Sequence, residues 1–114
     1  MEKTAGPYTP VVRSGDWIIV SGQIGHLDGV LVEGGLEPQL RQLFSNLKRL
    51  LASENATLQN VLKTTVFLTD IDDYGYMNEI YIEEFGGHRP ARSAIAVNAL
   101  PLGALIEIEA WAKI

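Results

Sequence analysis

The sequence predicts a two-layer α+β domain in which two helices pack on one face of a mixed β-sheet. Three observations carry this prediction. Residues 40–51 repeat apolar side chains at the spacing of an amphipathic helix. Residues 61–69 are rich in β-branched side chains, and residues 106–111 alternate between apolar and polar, as strands do. The predicted order of elements, β-β-(β)-α-β-α-β-β, leaves two helices to cover one face of the sheet.

The composition is that of an ordinary globular protein, and we expect a single domain over residues 1–114. Apolar residues make up 46% of the chain, and no apolar run approaches the roughly 18 residues of a membrane span. Residues 1–4 lack the apolar segment of a signal peptide. The absence of cysteine excludes disulfides and thiol nucleophiles and suits a cytoplasmic location. A net charge of −5 argues against nucleic acid as a partner, and we expect no membrane association.

The N-terminal part of the chain predicts a β-hairpin. Residues 8–13 are extended, and Pro7 and Pro10 suit an edge strand. After a tight turn, residues 17–21 form a more buried strand. A glycine-rich loop then leads to a short third strand at residues 31–32.

Two helices and a central strand follow. The first helix begins near Pro38, whose missing N–H is harmless in a first turn. Its apolar stripe comprises Leu40, Leu43, Phe44, Leu47, Leu50 and Leu51. Residues 61–69 form the central strand, and residues 70–73 (DIDD) offer N-cap oxygens for the second helix. The stripe of that helix comprises Met77, Ile80, Tyr81 and Phe85, and Gly86 and Gly87 end it.

The last quarter of the chain predicts a closing antiparallel β-hairpin. Residues 93–97 are small or β-branched, Pro101 and Gly103 mark a turn, and residues 106–111 return. The returning strand places Ile106, Ile108 and Ala110 on one face and Glu107, Glu109 and Trp111 on the other. We expect the second face to carry Arg92 and Ala94 as well. No helix remains to cover it, so water or another subunit must.

Arg92 is the first candidate functional residue. It lies at the start of a nearly uncharged strand and shares a face with Ala94 and Ala96, which leave room in front of its guanidinium. A planar group with five donors suits a carboxylate held by two parallel hydrogen bonds. The alternative is a structural ion pair with a glutamate of the same sheet.

Glu107 is the second candidate, because partial burial in a strand would raise its pKa into the range useful for acid or base catalysis. The alternative is a solvated polar strand residue. Other chemistries have little support in the sequence. His26 and His88 are isolated, so we expect no metal site, and the glycines fit no nucleotide-binding motif.

Six segments follow one another along the chain: residues 6–8 (GPY), 20–24 (VSGQI), 63–68 (KTTVFL) with Asp70, 78–81 (NEIY), 90–93 (PARS) and 106–110 (IEIEA). In this order and spacing they resemble the RidA family, the YjgF-type enamine/imine deaminases. The resemblance spans nearly the whole chain.

This resemblance implies a homotrimer of chorismate-mutase-like protomers with clefts between subunits. It implies cofactor-independent hydrolysis of 2-enamine or 2-imine acids, such as 2-aminoacrylate and 2-iminobutanoate, to 2-keto acids and ammonia. Arg92 would hold the substrate carboxylate, and Glu107 would orient or activate water or handle the imine proton. Tyr8 would line the cleft, and the backbone at Ser21 and Gly22 would face the ligand. Asn78 and Tyr81 also match positions near the cleft, or else serve helix packing.

Two departures from the family pattern affect the expected site. Ala94 stands where cysteine is frequent, which removes any thiol role and predicts a wider pocket. Gly25 stands where proline is usual, which predicts a more flexible loop and a different substrate range. Two other functions stay open: a non-catalytic binder of small 2-keto or other carboxylic acids, and a translation inhibitor or endoribonuclease. The acidic charge balance disfavours the second of these.

Overall fold

A computed structural model describes residue 4 and residues 6–114 of the chain. Its seven strands are β1 (Val11–Ser14), β2 (Trp17–Gln23), β3 (His26–Leu27), β4 (Val30–Leu31), β5 (Val61–Leu68), β6 (Ala91–Ala96) and β7 (Ile106–Lys113). Its two α-helices are α1 (Leu36–Ala52) and α2 (Tyr74–Phe85). Residues 1–3 and 5 lie outside this description, and so does most of the segment on which the signal-peptide expectation rests.

The sheet is mixed and has the strand order β1-β2-β7-β5-β6. Strands β5 and β6 are parallel neighbours, whereas the other three pairings are antiparallel. The short strands β3 and β4 form a separate two-stranded ribbon. Both helices pack on one face of the main sheet, as the sequence predicts, and the fold is a compact two-layer α+β domain.

The predicted N-terminal hairpin is confirmed. Ser14 pairs with Trp17 across a two-residue turn, and Gly15 in that turn has a φ of 58°, which glycine adopts without strain. Strand β1 lies at the edge of the sheet. Pro7 and Pro10 precede it, and their missing N–H groups cost no hydrogen bond of the sheet there.

Helix α1 supplies most of the core, because its apolar stripe faces the sheet. Six of the buried α1 side chains are those the periodicity predicts: Leu40, Leu43, Phe44, Leu47, Leu50 and Leu51. Full burial of a leucine side chain contributes about 1.5–3 kcal/mol to folding. Ion pairs join α1 to α2. Arg41 pairs with Glu83 and Glu84, and Lys48 pairs with Glu84 at 2.8 Å.

Helix α2 forms the crossover between the parallel strands β5 and β6. The Asp70 carboxylate accepts a hydrogen bond from the Asp72 N–H and opens a 3₁₀ turn that leads into the helix. Gly86, with a φ of 66°, ends it. Met77, Ile80, Tyr81 and Phe85 are buried, as predicted.

The prediction of a closing antiparallel hairpin between β6 and β7 is wrong. Strand β7 pairs with β2 on one side and β5 on the other, and β6 lies at the far edge of the sheet beside β5. Two physical reasons account for this. A strand that follows a crossover helix returns parallel to the strand before that helix, which places β6 next to β5. The long alternating strand β7 then fills the gap between β2 and β5.

The predicted alternation of β7 is confirmed. Ile106, Ile108, Ala110 and Ala112 are fully buried against the helices. Glu107, Glu109 and Trp111 point to the opposite face, which no helix covers in the described part of the chain. We call this the open face. It also exposes Val12, Trp17 and Ile95, and the rings of Trp17 and Trp111 meet edge to face at 6.2 Å. Neither helix is long and apolar enough to cross a membrane, as far as the described residues go.

Candidate functional site

Arg92 lies on the helix-covered face of the sheet, which corrects its predicted position. It pairs directly with Thr64 of β5, and paired residues share a face. Thr64 is fully buried, and its hydroxyl bonds to the Tyr81 hydroxyl of α2 at 2.6 Å. Ala94, opposite Val66, lies on the same face. The prediction fails because β5, rather than β7, sets the register of β6.

The guanidinium of Arg92 is surrounded by aromatic and sulfur groups of α2. Its Nη2 donates a hydrogen bond to the Tyr74 hydroxyl at 3.0 Å, and its Nη1 lies 3.8 Å from the Met77 sulfur. The guanidinium carbon lies 4.8 Å from the centre of the Tyr81 ring, within cation–π range. Arg92 forms no ion pair with any carboxylate of the described residues. The structural ion pair is therefore not formed, and the positive charge stays available to an anion.

A small cleft of about 210 Å³ opens beside Arg92. Its lining comprises Asn78, Tyr81, Ile82, Arg89, Pro90 and Arg92. We call it the arginine cleft. The Asn78 Oδ1 atom is buried and accepts no hydrogen bond from the described residues. Leaving such an acceptor unpaired costs about 1–3 kcal/mol, so a donor outside the described residues is expected to satisfy it.

Tyr81 serves both the core and the arginine cleft. Its ring packs on Phe44 and Phe85 with centroid separations of 5.9 and 4.8 Å. Burial raises the pKa of its phenol, and the hydrogen bond from Thr64 acts against that rise. Tyr81 therefore serves helix packing, one of the two alternatives given for it. Its side chain also lies beneath the Arg92 guanidinium.

Glu107 lies on the open face, directly opposite Phe67 of β5. Its carboxyl group is half-buried, and this burial raises the pKa above the usual range; the negative charge of Glu109 adds to the effect. Strand β2 is irregular between Val20 and Gln23, where Gly22 passes close to Glu107. A Cβ at position 22 would overlap the Glu107 carboxylate, so only glycine allows this approach.

Glu107 and Gly22 line a second, larger cavity of about 890 Å³. Tyr8 also lines it, as predicted, together with His26, Gln42 and Asn46, which the sequence did not indicate. We call it the glutamate cavity.

The segments that carry Tyr8 and Gly22 are tied together by Ser21. Its hydroxyl donates to the Thr9 carbonyl at 2.7 Å, and its N–H donates to the Pro10 carbonyl at 2.9 Å. The backbone at Gly22 faces the glutamate cavity, whereas the Ser21 side chain holds the N-terminal segment in place.

The predicted site residues thus fall into two groups within one chain. Arg92, Asn78 and Tyr81 meet in the arginine cleft on the helix-covered side, and Tyr8, Gly22 and Glu107 meet in the glutamate cavity. Arg92 and Glu107 occupy opposite faces of the sheet and share neither cavity. A single chain does not bring them together.

Three residues beside Arg92 were not predicted as site residues. Tyr74 and Arg89 were not singled out in the sequence, and Met77 was predicted only as a core residue. Helical spacing is the signal for Tyr74 and Met77, because positions 74, 77, 78 and 81 repeat at intervals of three or four and share one side of α2. Arg89 has no such signal, since only the fold of the loop before β6 turns it toward the cleft.

The two histidines have structural hydrogen bonds. His88 Nε2 lies 2.6 Å from the Val61 carbonyl, and the His26 Nδ1 atom accepts from the Gly29 N–H at 3.3 Å. Within residues 4 and 6–114, no three His, Cys, Asp or Glu side chains are grouped as metal ligands.

Comparison with known proteins then places the chain. A family model described as Endoribonuclease L-PSP, the model of the YjgF/RidA proteins, matches residues 2–114. The chain belongs to the RidA family. The mouse 2-iminobutanoate/2-iminopropanoate deaminase is 46% identical, over 94% of this chain and 80% of its own length.

Solved structures of RidA proteins share the fold. RidA from the Antarctic bacterium Psychrobacter superposes with a TM-score of 0.94 at 34% identity, over 98% of this chain and 92% of the other. E. coli TdcF with bound serine superposes with a TM-score of 0.89 at 31% identity, over 97% and 91% of the two chains.

The two departures from the family pattern have structural explanations. Ala94 packs against the core and does not line the arginine cleft, so the expected widening is not at this cleft. Gly25 is buried, and a Cβ there would overlap the backbone of Gln39 on α1. The loop is therefore packed against the helix at this point, and Gly25 is what permits the close approach.

Proposed function

We propose that this protein hydrolyses 2-enamine and 2-imine acids to 2-keto acids and ammonia, in clefts formed between the subunits of a homotrimer. The observation that carries the proposal is the Arg92 guanidinium, which lies on aromatic walls with no carboxylate partner among the described residues. The mouse relative, at 46% identity, is named for this deaminase activity. We also expect a cytoplasmic location.

The need for more than one subunit follows from the sheet. Arg92 and Glu107 lie on its opposite faces, so a substrate that contacts both must lie between two chains. The open face has the apolar character of a contact surface, since Trp111 is 42% exposed and Ile95 is 48% exposed. In the proposed trimer, the open face of one subunit meets the β6 edge of the next. Sedimentation equilibrium should then give three times the chain mass, and a monomer at micromolar concentration would contradict it.

Arg92 is the proposed carboxylate-binding residue. Among the described residues, the Tyr74 hydroxyl is its only oxygen partner, which leaves most of its five N–H donors free for a substrate. A bidentate contact fixes both the position and the plane of the carboxylate. It thereby aims the adjacent imine carbon at a water molecule.

Glu107 is the proposed proton-transfer residue. Its raised pKa brings it closer to neutral pH, where one carboxyl group can both take up and release a proton. It takes a proton from the water that attacks the imine carbon. That proton passes to the imine nitrogen, which gives a carbinolamine. The proton of its hydroxyl group then moves to the nitrogen as the C–N bond breaks, so that the C=O bond of the 2-keto acid forms and ammonia leaves. An enamine substrate first becomes the imine by gaining a proton at its carbon and losing one from its nitrogen.

The test is steady-state turnover of freshly generated 2-aminoacrylate, followed through formation of pyruvate. We expect a saturable rate above spontaneous hydrolysis, which chelators leave unchanged because the proposed chemistry uses no metal. A rate equal to that of buffer alone would contradict the proposal.

A second candidate is a non-catalytic binder of small carboxylic acids. The structure of the relative TdcF with bound serine favours it, because serine offers a carboxylate without an imine. Calorimetry with a 2-keto acid should show binding under both proposals, but only the enzyme also releases ammonia from an imine. The family description names an endoribonuclease, so RNA cleavage is a further control. The net charge of −5 leads us to expect none.

A further inference from the structure

The arginine cleft contains a second guanidinium that the proposed reaction does not use. Arg89 follows α2 in the loop before β6 and lines the cleft together with Arg92. Its Nη1 donates to the carbonyls of Gly86 and His88. Its Nε and Nη2 make no hydrogen bond with the described residues, and no carboxylate of that set pairs with it. Arg89 is exposed, so these donors are open to a ligand.

The lining of the cleft contains no acidic residue to balance its two positive charges. On α2, Glu83 and Glu84 point toward α1, where Arg41 bonds to both of them. Two positive groups therefore face a small concave space from which carboxylates are absent, and such a space favours a ligand with more than one negative charge.

The two charges also act on a common group, the Tyr81 phenol. Burial raises the pKa of this phenol most strongly, and the hydrogen bond with Thr64 and the charges of Arg92 and Arg89 lower it. Both guanidinium groups are thus close enough to influence one oxygen atom on the cleft floor. Because Tyr81, Arg89 and Arg92 line the same cleft, a ligand in this cleft has both guanidinium groups in its walls.

We propose that Arg89 is a specificity-determining residue that binds a second carboxylate, carried on the substrate side chain. The preferred substrates would then be 2-imino or 2-enamino dicarboxylic acids, which are hydrolysed to 2-keto dicarboxylic acids and ammonia. This inference rests on the proposed function. Both carboxylates are ionised at neutral pH.

The test compares two imines of similar length, one with a side-chain carboxylate and one with an alkyl side chain, each generated in the cuvette by an amino-acid oxidase. We expect the wild-type kcat/KM to be roughly tenfold higher for the dicarboxylic imine, as for one charge-assisted contact at a partly exposed site. Added salt should shrink this preference, because it screens exposed charges.

Arg89→Gln should remove the preference and leave hydrolysis of the alkyl imine nearly unchanged. Arg13→Gln is the matched control. Arg13 also donates only to backbone carbonyls, those of Gly15 and Glu54, but it lies on β1 at the opposite edge of the sheet. This control should keep the preference. Arg89→Lys should retain part of it, because it keeps the charge and loses the fork geometry.

Two results would overturn the inference: no preference in the wild type, or an equal loss for both imines in Arg89→Gln, which would show that Arg89 only supports the loop. Failure of the proposed function is distinguishable, because then neither imine is turned over. In that case calorimetry with the corresponding mono- and dicarboxylic 2-keto acids still tests Arg89. Weaker binding of the diacid alone in Arg89→Gln would support its role, and equal binding of both acids by wild type would refute it.

Discussion

The two cavities of this chain differ in what builds them. The arginine cleft lies between α2 and the β6 edge, and its charged groups rest on the aromatic floor of the core. The glutamate cavity is formed by the start of β7, the irregular part of β2, the β3 ribbon, α1 and the segment around Tyr8, and it contains a half-buried carboxyl group. One cavity offers positive charge without a counterion, and the other offers a proton donor or acceptor. Under the proposed function, each cavity supplies half of what imine hydrolysis needs.

The difference teaches that, under the proposed function, the sheet separates the residue that binds the substrate carboxylate from the residue that transfers protons. Arg92 and Glu107 are 15 positions apart in the sequence, yet the register of β5 against β6 and β7 turns them to opposite faces. Substitutions in the two cavities should therefore have different signatures. Substitution of Arg92 should affect substrate capture, and substitution of Glu107 should affect turnover and its pH dependence.

The largest effect is expected from Arg92. Arg92→Ala removes two charge-assisted hydrogen bonds of roughly 1.5–3 kcal/mol each, which corresponds to a roughly 10²–10⁴-fold lower kcat/KM. Arg92→Lys should recover little of this loss, because an ammonium group cannot hold both carboxylate oxygens in one plane. Steady-state assays with circular dichroism as a folding control measure both. Near-wild-type activity of Arg92→Lys would contradict the clamp.

The next largest effect is expected from Glu107. Glu107→Gln preserves the shape of the side chain but removes its ability to transfer a proton, so kcat should fall by roughly 10²-fold while KM changes little. The kcat of the wild type should rise with pH through the raised pKa of Glu107, and the variant should lack this step. An unchanged kcat would make Glu107 a polar strand residue only.

A smaller loss of activity is expected from Gly22→Ala. The added methyl group overlaps the Glu107 carboxylate and forces it to move, for which we expect a roughly tenfold lower kcat. Gly75→Ala is the matched control, because a Cβ at that helical position meets nothing within 4 Å. The control should keep activity and gain a little helix stability. Equal losses in both variants would argue against steric displacement of Glu107.

The smallest effect concerns stability and pH. The pKa of Glu107 is raised by folding, so its contribution favours the folded state below the unfolded pKa and is lost as pH rises through the folded pKa. Glu107→Gln should therefore raise Tm relative to wild type at neutral pH, and the two should converge in acid. Scanning calorimetry at two pH values tests this. A Tm difference independent of pH would show that the ionised carboxylate is not destabilising.

Sequence reasoning predicted local structure well and the pairing of distant strands less well. The stripe of α1 and the alternation of β7 depend on neighbouring residues, and both are confirmed. The Asp70 side chain caps the 3₁₀ turn before α2, whereas Asp73 at the N-cap of α2 itself makes no side-chain hydrogen bond. The position of β6 depends on which distant strand accepts it. The turn residues Pro101 and Gly103 suggested a hairpin, but they carry no information about whether β2 or β5 competes for β7.

The candidate site shows the same contrast between what neighbouring residues determine and what distant strand pairing determines. The chemical types of Arg92 and Glu107 were identifiable from the sequence, since a lone arginine and a glutamate in apolar strands are unusual there. Their placement on opposite faces was not, because the face of Arg92 follows from its partner Thr64. The position of Arg89 in the lining of the arginine cleft depends on how the loop after α2 turns, and no periodic pattern encodes that turn.

The most direct test of a site shared between subunits is complementation between two inactive variants. Arg92→Ala and Glu107→Gln chains are unfolded together, mixed in equal amounts and refolded into mixed trimers. If each cleft takes Arg92 from one chain and Glu107 from its neighbour, one cleft in four (1/2 × 1/2) carries both intact residues, and activity should return to about a quarter of wild type. If both residues served one cleft from the same chain, every cleft would keep one lesion. Activity no higher than that of the separate variants would then contradict the shared site.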